Sequence, residues 1–235
     1  MFKVMGHNSN LLPTAPAAAA PRDARIRYWL LRTLVVNPLF RLVFRGRVEG
    51  RPPAYRSGPC VVVANHGSDL DPPLLSCAMG RPVAFMAKQE LFHVPLLAPL
   101  IRGLGAVPVR RGHVDRRALD HCLAQLRRGW LVGVFLDGTR RASGMVERPR
   151  HGAALLAQRS GCPLLPVAIL NSHRVLSRGG GLRLRPITIR IGAPIPAPAN
   201  RDRQTMETTS QHCAAVINSL LTGAPLPGPG PEQGS

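Results

Sequence analysis

The chain has 235 residues, of which 45% are hydrophobic and only 4% aromatic, and its 31 Lys and Arg against 12 Asp and Glu give a formal net charge of +19. That length suits one α/β domain, or at most two small ones, and no stretch approaches the roughly 20 apolar residues that cross a bilayer. The charge calls for an anionic partner, either nucleic acid, anionic lipid head groups or an acidic carrier protein; with no aromatics interleaved among the basic residues, a stacking platform for single-stranded nucleic acid is not expected.

Residues 1–21, rich in Ala, Pro and Asn, read as a flexible leader without the apolar core of a signal peptide. Residues 22–45 follow with apolar side chains at helical spacing and Arg25, Arg27, Arg32, Arg41 and Arg45 between them. Such a segment either lies in a membrane interface or packs on its own domain, and Asn37-Pro38 is expected to break or kink it. Residues 46–58 are turn-rich. CVVVA at 60–64 reads as a buried strand, and Asp71-Pro72-Pro73 as a helix start with Asp71 at the N-cap. Strands are expected at 83–87 and 106–109, with a helix around 95–103 between them. Residues 114–128 form an amphipathic helix ending at Gly129, and WLVGVFL at 130–136 forms a strong strand. A helix at 152–160 closed by Gly161, strands at 163–170 and 184–192, and a helix at about 203–222 complete the domain. Residues 223–235 read as a disordered tail. Strands alternate with helices, so residues 46–222 are read as a single α/β domain with a mixed, mostly parallel sheet flanked by helices, preceded by the amphipathic segment.

The cysteines, Cys60, Cys77, Cys122, Cys162 and Cys213, are widely spaced and make no cluster with zinc-ligand spacing. They read as reduced, partly buried thiols of a cytoplasmic protein.

Chemistry concentrates in three places. The first is NHGSDLD, Asn65 to Asp71, between a buried strand and a helix start, where open α/β sheets place ligands. On a continuous helix, positions five apart stand about 140° apart, so His66 and Asp71 meet only if Gly67-Ser68-Asp69 turns. A carboxylate bonded to one ring nitrogen would leave the other free to accept a proton from a hydroxyl. Alternatively, Asp71 only caps the helix and His66 only fills a turn. A serine triad using Ser68 is disfavoured, because three members within six residues have no room and there is no GxSxG elbow. The second place is FLDGTRR, Phe135 to Arg141, either an Asp-Gly turn or a phosphate site in which Gly138 admits a ligand, Thr139 offers a hydroxyl and Arg140 a guanidinium fork. The third runs from Lys88 to Arg111, where Lys88, Arg102, Arg110 and Arg111 form a phosphate-binding patch or a solvated face.

Taken together, these blocks resemble the glycerolipid acyltransferases. NHGSDLD is similar to that family's NHxxxxD motif, residues 88–112 to its second block, FLDGTR at 135–140 to its FPEGTR block, and HGAALLA and CPLLPVAI to the helix and proline-bearing strand that follow. Leu136 and Asp137 stand where the family has Pro and Glu. The resemblance implies His66 as general base and Asp71 as its partner. It also implies a substrate site built from Asn65, Lys88, Arg110, Arg111, Asp137, Gly138, Thr139 and Arg140. The implied reaction moves a fatty acyl group from acyl carrier protein or acyl-CoA to the sn-2 hydroxyl of a 1-acyl-glycerol-3-phosphate, with no metal or other cofactor. Another lysolipid or glycerol-3-phosphate is the alternative acceptor, and a non-catalytic basic module that binds lipid or nucleic acid is the rival reading. The expected setting is the cytoplasmic face of an anionic membrane, held peripherally or monotopically, with no nucleic-acid partner.

Overall fold

The run VVVA is apolar throughout because both of its sides are covered. Val61 and Val63 face one buried cluster, and Val62 and Ala64 face another on the opposite side of the sheet. The computed structural model of the protein describes residues 22–50, 58–95, 98, 101–102, 106–109, 116–175 and 183–228. Its strands are β1 (Arg47–Glu49), β2 (Val61–Ala64), β3 (Val83–Lys88), β4 (Val107–Val109), β5 (Leu131–Phe135), β6 (Leu164–Leu170) and β7 (Thr188–Ile191). Among the described residues they form one seven-stranded sheet in the order β1-β7-β6-β2-β5-β3-β4. Pairing from β6 through β2, β5 and β3 to β4 is parallel, while β7 runs antiparallel to β6 and parallel to β1. The mixed, mostly parallel sheet is therefore present.

Helices cover both faces: α1 (Arg22–Leu31), α2 (Asp71–Met79), α3 (Arg116–Arg127), α4 (Gly152–Ser160), the single turn α5 (Ser172–Val175) and α6 (Arg203–Thr222). Cys122 and Leu126 of α3, Leu156 of α4 and Ile217 of α6 pack with Val61 and Val63. Leu75 and Met79 of α2 pack with Val62, together with Phe40 and Phe44 of the N-terminal segment. Fully burying each such side chain contributes roughly 1.5–3 kcal/mol, so these two clusters hold the layers together. The five cysteines are free and buried, and burial pushes the thiols of Cys60, Cys122 and Cys213 up to about 12.

The structure departs from expectation in a few places. Asn37-Pro38 does not stop the N-terminal helix. Its turns widen on either side, over Arg32–Val36 and Leu39–Val43, so that the Asn37 N–H reaches the Arg32 carbonyl and the Phe44 N–H the Leu39 carbonyl. Bonds to the fifth residue back accommodate a proline that has no N–H and crowds the carbonyl four residues earlier. The short edge strand β1 lies in what reads as a turn-rich connection, because three residues with one half-buried position carry no alternation to detect. Strand β7 begins only at Thr188, after Pro186. Of the helix expected around 95–103, residues 98, 101 and 102 are helical, residue 95 is in a turn and the others lie outside the described residues, as do the leader 1–21 and the tail end 229–235.

Candidate active site

The parallel strands β2 and β5 end side by side, so the chain segments leaving them meet at one edge of the sheet. The Leu136 N–H donates to the Ala64 carbonyl at 3.0 Å, and the Arg141 N–H to the His66 carbonyl at 2.8 Å. These main-chain bonds bring the first two sequence motifs together.

The turn that the His66–Asp71 spacing demands is present. His66 Nδ1 lies 2.8 Å from Asp71 Oδ2, and the same oxygen accepts the N–H groups of Gly67 at 2.7 Å and Ser68 at 2.8 Å. Asp71 is fully buried, while the His66 side chain keeps 12% of its exposure. The Phe135 ring stacks on the imidazole with centroids 4.0 Å apart and planes 14° apart, and Phe85 stacks in turn on Phe135. The imidazole is thus clamped edge and face. With Nδ1–H donating to the carboxylate, Nε2 carries the lone pair. The position of Asp71 corrects one expectation. Leu70 is the N-cap and Asp71 the first helical residue; its carboxylate bonds the preceding turn, not its own helix.

Two further assignments change. Asn65, expected to bind substrate, is 1% exposed. Its Nδ2 donates to the Gly144 and Ile169 carbonyls at 2.8 and 2.9 Å, and its Oδ1 accepts the Ile169 N–H at 2.8 Å. The side chain is therefore spent on tying β2 to β6 and to the 141–148 loop. Asp137 is 2% exposed. It accepts the N–H groups of Glu147 and Arg148 and sits 3.6 Å from the Arg141 guanidinium, so it supports the same loop instead of facing a substrate. Around these turns the Gly138 N–H bonds the Phe135 carbonyl, the Asp71 N–H bonds Ser68, Pro72 and Pro73 have none, and the Leu74 N–H bonds Leu70.

Gly138 turns the chain with φ at +64°, which presents Thr139 and Arg140 at the surface beside the dyad. Arg140 is 38% exposed and pairs with Asp69, itself 66% exposed, so this pair bridges the first motif to the second. Lys88 ends β3 at the same sheet edge. Arg110 and Arg111 lie outside the described residues. Two participants take no role from the sequence: Phe135, which opens the second motif as the last residue of its strand, and Arg150, whose guanidinium stem packs over Gly138. Among the described residues no group of His, Cys, Asp and Glu is arranged to hold a metal ion.

Comparison with known proteins agrees with this arrangement. A family model described as acyltransferase matches residues 45–170. A 1-acyl-sn-glycerol-3-phosphate acyltransferase of Chlamydomonas reinhardtii is 31% identical over 80% of the chain and 56% of its own length. A lyso-ornithine lipid O-acyltransferase of Pseudomonas aeruginosa is 35% identical over 63% of the chain and 54% of its length. The crystal structure of the 1-acyl-sn-glycerophosphate acyltransferase PlsC of Thermotoga maritima superposes with a TM-score of 0.63 at 25% identity, covering 82% of this chain and 84% of that one. The chain spans about half the length of the curated relatives it matches.

Proposed function

From the premise that the chain belongs to the acyltransferase family, which its match over residues 45–170 establishes, we propose that it transfers a fatty acyl group from a thioester to the sn-2 hydroxyl of 1-acyl-glycerol-3-phosphate, forming phosphatidic acid. The observation that carries the reading is the buried Asp71 carboxylate on Nδ1 of a partly open His66. His66 Nε2 takes the proton from the acceptor hydroxyl as that oxygen attacks the thioester carbonyl. Collapse of the tetrahedral adduct breaks the C–S bond, and the departing thiolate takes the proton back from the imidazolium. Asp71 holds the tautomer and stabilises the cation. Arg140 receives the acceptor's phosphate, with Thr139 beside it. Acyl carrier protein or CoA supplies the thioester, and no metal takes part.

The same reading sets the protein on the cytoplasmic face of an anionic membrane, peripherally or monotopically. No helix among the described residues is long and apolar enough to cross a bilayer. The N-terminal segment nevertheless leaves Trp29 57%, Leu34 70% and Leu42 78% exposed. Because Thr188 pairs with Leu170, the residues preceding β7 lie at the sheet edge that carries His66. There Leu42, Val43 and Leu184 border a hollow also lined by Arg45 and Arg185, a pairing of apolar and cationic side chains that suits a lipid interface.

A second acceptor is favoured by one feature. The exposed Asp69 carboxylate beside Arg140 presents both signs of charge, which matches a zwitterionic lysolipid such as a lyso-ornithine lipid. Incubating the purified protein with labelled acyl-CoA or acyl carrier protein and a panel of lysolipids separates the readings. Labelled phosphatidic acid from the phosphomonoester acceptor is expected. Turnover only of the zwitterionic lipid moves the assignment to that class, and no turnover with any lysolipid removes the catalytic reading.

A further inference from the structure

His173 stands on α5, immediately after β6, and the chemistry above leaves it unused. Its side chain lies where the two motif turns come together. A Cβ on Gly67 would come within 2.7 Å of the His173 Cβ, and one on Gly144 within 2.5 Å of its Nδ1. Gly144 has φ at +73°, and its carbonyl is one of the two that Asn65 holds. The imidazole therefore fills the space that two glycines leave, wedged between the dyad turn and the 141–148 loop.

Its hydrogen bonding assigns its tautomer. The Arg174 Nε–H donates to Nε2 at 3.2 Å, so Nε2 holds the lone pair and Nδ1 carries the proton. Burial, aided by the Arg174 charge, lowers the pKa of this ring below the ordinary histidine value, against the opposing pull of Asp71. The ring is thus neutral at neutral pH. Its buried Nδ1–H meets no acceptor among the described residues. Asp71 has the complementary shortage. Its Oδ2 takes three donors, while its buried Oδ1 takes none among the described residues. Buried polar groups are satisfied almost without exception in folded proteins, so an idle donor and an idle acceptor on two residues that both contact Gly67 call for an explanation.

We propose that His173 is a positioning residue for the dyad: it braces the 66–68 turn against Asp71, and its Nδ1–H dipole steadies the Asp71 carboxylate on the oxygen that the turn leaves bare. Without that dipole the carboxylate would hold the proton on His66 more strongly. The base would then be neutral only at higher pH.

The kinetic arm of the test rests on the acyl-transfer reading; the spectroscopic arm needs no substrate. His173→Phe keeps the ring and removes the N–H, while His173→Asn returns a donor near the Nδ1 position. For His173→Phe, kcat should fall about tenfold with KM for the acceptor within twofold, and the acid limb of the kcat/KM profile should move to higher pH. His173→Asn should recover most of kcat. By NMR, the titration of the His66 ring protons should move to higher pH in His173→Phe and return in His173→Asn. If His173→Phe does not fold, the near-isosteric pair His173→Leu and His173→Asn makes the same comparison. An unmoved His66 titration, or a His173→Asn protein no better than His173→Leu, overturns the proposal whether or not the acceptor has been identified correctly.

Discussion

The two turns that leave β2 and β5 lie side by side yet are built in opposite ways. In the first, Asp71 is fully buried and bonded to His66, Gly67 and Ser68, and Asn65 behind it spends its amide on β6 and the 141–148 loop. In the second, Asp137 is sequestered but the residues after it stand open, with Arg140 38% exposed and held, among the described residues, by an exposed carboxylate. One turn fixes a geometry; the other keeps a charge accessible. On the proposed reading the contrast has a reason: a base must be held within tenths of an ångström, whereas a phosphate-binding cation must be able to exchange one anion for another.

Substitutions can break or sharpen that contrast. The largest effect is expected for His66→Ala, with kcat falling about 10²–10⁴-fold and the circular dichroism melt unchanged. Near-normal turnover would mean that the rigid turn has no catalytic purpose. Next comes Asn65→Ala, which strands the Gly144 and Ile169 main-chain groups in the interior. We expect a loss of about 2–4 kcal/mol, seen as a melting point lower by roughly 5–15 °C. A loss of activity at unchanged stability would instead place Asn65 on the substrate. Arg140→Gln should raise KM for a phosphate-bearing acceptor about tenfold and leave kcat within twofold. A kcat defect with unchanged KM would give the open turn a part in the chemistry. The smallest effect belongs to Asp69→Asn. Exposed ion pairs contribute about 0–1 kcal/mol, so the melting point should hold within about 4 °C. KM for a phosphate acceptor should fall up to about fivefold as Arg140 is released. A large drop in melting point would show that the pair is structural and the second turn is as rigid as the first.

Local sequence was informative wherever function needs adjacent residues. The strand at 60–64, the forced turn between His66 and Asp71 and the Asp-Gly turn at 137–138 could all be read without coordinates, because each depends on residues next to one another. The roles of Asn65 and Asp137 could not. A polar residue next to a candidate base looks the same in sequence whether it faces a ligand or bonds a main chain 104 residues away, as Asn65 does at Ile169.

The sequence by itself determined the α/β class and the order of the main elements, since these follow from periodicity, and it required a turn if His66 and Asp71 were to meet. Only the tertiary structure decided that Phe135 lies on the imidazole, that Asn65 and Asp137 serve the scaffold, and that His173 comes to rest against Gly67. Those contacts arise where separate strands end at one edge of the sheet, and the parallel pairing that aligns those ends leaves no local mark in the chain.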